Sequence, residues 1–165
     1  MTLVVEDGTG LSTANAYISV ADFAAYHSAR NNVAAAALST AEIEAAIIYA
    51  TVWMDARYSW RGDIVDDDQA LGLPTEDGED DQGRNITGLP TRVANACAEL
   101  AFMHTQKPLN AILGPLVIEQ EVVGAVKRKF SDRIGNEGNR YPMIDLMLKG
   151  LYIAGGVQFL ESMGA

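Results

Sequence analysis

The chain has 165 residues, 48% of them hydrophobic and 21% charged, which fits one globular domain and excludes an intrinsically disordered chain. Its formal charge of -10 opposes the phosphate neutralisation by which Lys and Arg hold nucleic acid non-specifically. The single cysteine, Cys97, excludes an internal disulfide framework. No apolar run approaches the roughly 18 residues of a membrane span, and the N-terminus lacks the pattern of a signal peptide, so a soluble protein made in the cytoplasm is expected.

Residues 1–18 read as an extended segment. Leu3-Val4-Val5 suits a strand and Asp7-Gly8-Thr9-Gly10 is a turn signal, so a partner strand is expected. Ser19, with Asp22 three residues on, marks a helix start. Phe23, Ala24 and Tyr26 give that helix an apolar face up to about Arg30, and Asn31-Asn32 stops it. Ser39-Thr40-Ala41-Glu42 is a stronger capping box, in which the serine oxygen accepts from the amide three residues on and the glutamate reaches back. Ile43, Ile47, Ala50 and Met54 follow at helical spacing, widened by Ala46 and Trp53, and predict a helix from about Thr40 to about Arg57.

Ala50 to Gly62 stands at the joint where this pattern runs out, and it holds both tryptophans, Trp53 and Trp60. Residues 59–89 show no sustained periodicity. They are rich in glycine and acid, with Asp63, Asp66, Asp67, Asp68, Glu76, Asp77, Glu79, Asp80 and Asp81 answered only by Arg84, and read as a long acidic loop unsuited to a core. Pro90 is expected in the first turn of the next helix, whose face Val93, Cys97, Leu100, Ala101 and His104 trace to about Gln106. Val117–Val123 and Ala125–Phe130 flank Gly124 as two strands of a hairpin, the first acidic and the second basic. A loop follows to Tyr141. Pro142 opens a short helix, Met143 to about Lys149 or Tyr152, which Gly155-Gly156 closes. The end of the chain carries Val157, Phe159, Leu160 and Met163, too apolar for a tail in water, so residues 153–165 are expected to dock on a neighbouring chain. The fold class is mainly α: one domain over residues 1–165, a small bundle of about four helices with a β-hairpin and extended terminal segments.

Residues with chemistry are few. His27 and His104 each lie in a predicted helix with no second His or Cys one turn away, which makes them structural or surface groups rather than metal ligands. Cys97, on an apolar helix face, reads as a buried inert thiol. Asp66-Asp67-Asp68 and Asp77 to Asp81 supply oxygen ligands, but their spacing is not that of a calcium loop, so a solvated acidic surface is the better reading. Trp53 and Trp60 could stack single-stranded bases, yet stacking without a basic groove is weak, and core plus rim of one helix is the plainer reading. No catalytic group, cofactor or metal site is expected.

The residues Leu3-Val4-Val5-Glu6-Asp7-Gly8-Thr9-Gly10-Leu11, Ala14-Asn15-Ala16-Tyr17-Ile18-Ser19 and Ala21-Asp22 begin a longer pattern. It continues through Leu38-Ser39, Glu42, Ala50-Thr51, Asp55-Ala56-Arg57-Tyr58, Trp60-Arg61-Gly62, Gln69-Ala70-Leu71, Pro74, Gly83-Arg84 and Leu89-Pro90. Together they resemble the head-tail adaptor, or connector, proteins of tailed bacteriophages. The resemblance implies a non-enzymatic virion protein, made in the host cytoplasm, that forms a ring of typically twelve copies beneath the portal protein. There it would extend the channel through which genomic DNA passes without specific binding, and give the tail or nozzle protein a platform. It also implies that Trp60, Arg61 and the tail residues Val157, Phe159, Leu160 and Met163 meet protein partners, with no membrane involved. Related sequences carry a second description, as DnaT-like single-stranded-DNA-binding replication proteins. On that alternative Lys127, Arg128 and Lys129 would contact DNA. An acidic lining suits a conduit better than a DNA grip.

Overall fold

A computed structural model describes residues 2–109 and 141–153. Among these, five helices carry the fold: α1 (Val20–Ser28), α2 (Val33–Ala36), α3 (Thr40–Arg57), α4 (Thr91–Gln106) and α5 (Pro142–Leu148). Four two-residue strands complete it: β1 (Ser59–Trp60), β2 (Asp63–Ile64), β3 (Thr75–Glu76) and β4 (Tyr152–Ile153). The mainly α class is as expected, with one helix more than the pattern predicted. The hairpin expected over 117–130 and the tail residues 154–165 lie outside the described residues.

The core is the α3–α4 pair. Ile43, Ala46, Ile47, Ala50 and Met54 form the buried stripe of α3, and Val93, Ala96, Cys97, Leu100 and Ala101 that of α4. Thr51, fully buried on α3, lies 3.7 Å from the Cys97 sulfur on α4. Phe23 and His27 of α1 and Ile144 and Leu148 of α5 close the same cluster from either end.

Both expected capping boxes are present: Ser19 with Asp22 opens α1, and Ser39 with Glu42 opens α3. Each satisfies amide groups that have no partner inside the helix, an effect worth about 1 kcal/mol per cap. Pro90 stands one residue earlier than predicted, as the cap before α4 rather than in its first turn. The shift costs nothing, since proline has no N–H to place in either position. The helix α5 ends at Leu148 with Gly150 in a left-handed conformation, φ +85°, so a nearer glycine than Gly155 makes the stop.

The N-terminal segment finds its partner within itself. Val5 and Ala16 form a parallel bridge, and the Glu6 amide donates to the Ala16 carbonyl at 2.9 Å. The Glu6 side chain, 4% exposed, accepts from the amides of Gly8, Gly10 and Leu11, each at 2.9 Å. A carboxylate thus closes the turn that the sequence signalled only through its glycines.

Residues 59–89 correct the expectation of a loop with no place in the core. β2 pairs with β3, and β1 pairs with β4 far along the chain, both antiparallel. Trp60, Leu73, Pro74, Thr75 and Ile86 are buried, and so is one of the acids, Asp80, at 8% exposure. Two glycines make the close approach possible. A Cβ on Gly62, at φ +93°, would lie 2.4 Å from the Glu76 carbonyl oxygen, and one on Gly78 would lie 2.6 Å from that of Arg61. Only glycine lets these two backbones meet.

Candidate functional site

The segment after α3 is organised by two carboxylates and one arginine. Asp55, near the end of α3, accepts from the Tyr17 hydroxyl, from Trp60 Nε1 at 2.9 Å and from the Gly72 amide at 3.1 Å. The Tyr17 oxygen in turn accepts from the Leu73 amide at 3.2 Å. Burial, with the Asp55 charge beside it, raises the Tyr17 hydroxyl far above its ordinary range, so it stays a donor. The five groups tie the N-terminal segment, α3 and residues 60–73 together.

Asp80 plays the same part lower in the segment. It accepts from Arg84 Nη2 at 2.6 Å and Nε at 2.9 Å, from the amides of Gln82 and Arg84, and from Arg92 Nη2 on α4 at 3.4 Å. The Arg84 guanidinium, helped by the amides of Arg84 and Gln82, holds its carboxyl down at about 2. Arg92 also donates to the Lys149 carbonyl at 2.9 Å, just after the end of α5. Arg61 is the third hub: its amide donates to Leu151 O at 3.1 Å, Nη1 to Glu79 O at 3.1 Å, and Nη2 lies 2.8 Å from Asp81.

These contacts decide what the sequence-predicted residues are free to do. Trp60 is 8% exposed on β1, outside the helix that its spacing from Trp53 suggested, and its indole N–H belongs to Asp55. Its ring packs near Tyr17 and Tyr58, so it is a core residue and not a stacking platform. Arg61 is a partly buried staple within the chain. Trp53 is half-buried, against Tyr58 and Tyr141. Lys127, Arg128, Lys129, Val157, Phe159, Leu160 and Met163 lie outside the described residues.

The groups with chemical potential are structural. Cys97 is fully buried, and burial pushes its thiol up to about 12, which removes the thiolate a nucleophile needs. His27 is 2% exposed; its Nε2 lies 3.1 Å from the Ala98 carbonyl, to which it donates, and its Nδ1 accepts from Asn32 at 3.2 Å. His104 stacks on Tyr49 with centroids 4.4 Å apart, and burial lowers its pKa. Among the described residues no three His, Cys, Asp or Glu side chains converge as metal ligands, and no helix is long and apolar enough to cross a membrane.

The surface is left with two features. All of the net negative charge falls on the described residues, which hold seventeen carboxylates against seven Lys and Arg, while four of those arginines, Arg57, Arg61, Arg84 and Arg92, are already paired with Asp. Apolar side chains also stand in water: Val33 on α2, Tyr49 and Val52 on α3, and Met143 and Leu146 on α5. Sequence periodicity found the buried face of α3 and missed this second one, because it marks apolar residues without saying which face is covered.

Fold and surface define a small, acidic, mainly helical domain stapled by carboxylates. The chain belongs to the family described as "Putative DnaT-like ssDNA binding protein", whose match spans residues 1–162. No curated protein and no solved structure matches it.

Proposed function

We propose that this chain is a structural, non-enzymatic subunit of a tailed-phage virion, a head-tail adaptor that forms a ring, expected to hold twelve copies, beneath the portal. In this reading it lengthens the DNA channel and presents a platform to the tail or nozzle protein. The observation that carries it is the charge of the described domain. Its whole net charge of -10 lies there, with Arg57, Arg61, Arg84 and Arg92 held by aspartates, so the surface repels phosphate. A conduit that DNA must traverse without sticking has use for such a surface. Apolar side chains left in water on α2, α3 and α5 fit a subunit whose neighbours cover them. The test is to mix the purified protein with portal rings and image the mixture by electron microscopy. A second ring stacked on the portal supports the reading; portal rings left bare sink it.

A second reading, single-stranded-DNA binding, is favoured by the family description, which speaks for it and not for the adaptor. On this reading the grip would come from Lys127, Arg128 and Lys129, since Trp60 is buried and the described arginines above are spent. Binding would then weaken steeply with salt and vanish when the three cations are replaced by Ser.

A further inference from the structure

The turn that leaves α4 hangs on a histidine. The Lys107 amide makes the last helical bond, to the Met103 carbonyl, and Pro108 has no N–H, so the Leu109 amide is the first beyond the helix that needs a partner. It donates to His104 Nδ1 at 3.3 Å. Leu109 is 6% exposed and belongs to the core cluster, so this bond and the burial of a leucine side chain go together.

A ring nitrogen accepts only through its lone pair, so the neutral ring carries its proton on Nε2. Protonation at Nδ1 would set one donor against another. The ring itself has reason to stay where it is: it stacks on Tyr49 of α3, with planes 16° apart, and lies in the last turn of α4. An aromatic face and a helix C-terminus both attract a cation. What the proton displaces is therefore Leu109 and not the histidine.

We propose that His104 is a proton-operated latch at the exit of α4: the neutral ring holds the Leu109 amide, and the charged ring releases it and loosens Leu109 from the core. On this stretch α3 offers the titratable groups Tyr49 and Glu44, and α4 offers Lys107 and Glu99, whose carboxylate accepts from the Tyr26 hydroxyl. Among the described residues no carboxylate forms an ion pair with His104, so no counter-charge locks the ring in one state.

Burial lowers the pKa of His104 from its ordinary 6.5, so the fold binds this proton less readily than the unfolded chain does. The stability that the latch contributes is whole above about pH 6.5 and is lost as the pH falls below it towards the lowered value. The latch depends on neither reading of the protein's function, and its test needs no portal and no DNA.

Nuclear magnetic resonance on the full chain reads both halves of the device: the ring nitrogen shifts of His104 follow its protonation, and hydrogen exchange gives the protection factor of the Leu109 amide. In wild type that protection is expected to fall about fivefold as the ring protonates, the worth of one hydrogen bond, while the Cys97 amide in the middle of α4 keeps its own. His104→Asn places a side-chain oxygen close to where Nδ1 stands and should hold Leu109 at every pH. His104→Ala leaves no acceptor and should show the low protection even at neutral pH. Leu109 protection that stays level while the ring protonates would overturn the proposal, as would His104→Asn following the wild-type pH course or His104→Ala keeping wild-type protection. A ring still neutral at about pH 4, where carboxylates begin to titrate, would overturn it too.

Discussion

The α3–α4 pair and the segment from Ser59 to Leu89 are held by different forces. The helices meet through apolar stripes, Ile43, Ile47, Ala50 and Met54 against Val93, Cys97 and Leu100, with Thr51, beside the Cys97 sulfur, as the polar exception. The segment has few apolar residues to bury, and Asp55, Arg61 and Asp80 fix its path by gathering donors and acceptors distant in sequence. The difference teaches that acidity on the page is not exposure in the fold. A carboxylate supplied with donors can stand where a leucine would.

The sharpest way to break that contrast is Asp55→Ala, which strands the Trp60 indole N–H and the Tyr17 hydroxyl. At about 1 to 3 kcal/mol for each buried donor left without a partner, the expected loss is about 4 kcal/mol by urea denaturation, with residues 59–89 opening to protease before the helices. Asp55→Asn keeps an acceptor and should recover about half of it. Leu100→Ala, on the helical side, is expected to cost about 3 kcal/mol by cavity formation, with no selective opening of the segment. Ser39→Ala removes the α3 cap and should cost about 1 kcal/mol.

The smallest effect is read only in acid. The Asp80 carboxyl is held down at about 2 in the fold, below its ordinary value of 3.8. Its contribution is therefore fully present above about pH 4 and is lost as pH falls through about 2. The urea midpoint of wild type should fall across that window, and that of Asp80→Asn should fall less.

How much of this was legible follows from the same contrast. The limits of α3, Thr40 to Arg57, could be read from Ser39, Glu42 and a period of 3.6 residues, because capping and stripe burial are local or periodic facts. The burial of Trp60 could not, because it depends on Asp55 turning back across the end of α3 and on Tyr17, thirty-eight residues before Asp55, arriving at the same carboxylate. Asp80 looked like one more solvated acid among nine; nothing local marked it as the one that Arg84 and Arg92 would enclose. Nothing local marked Gly62 and Gly78 as the two glycines that let distant backbones touch. The burial of Cys97 was legible from its place on the apolar face of α4, and His27 likewise sits in the core with its polar atoms engaged.

The acidic domain and the family description make opposite demands on one quantity, the affinity for a single strand. A fluorescence-anisotropy titration of a labelled oligonucleotide at moderate salt measures it directly. No saturable binding is the expected result for an adaptor whose arginines serve its own aspartates. Saturable binding that weakens with salt and disappears when Lys127, Arg128 and Lys129 become Ser would contradict that reading and make this a single-stranded-DNA-binding protein.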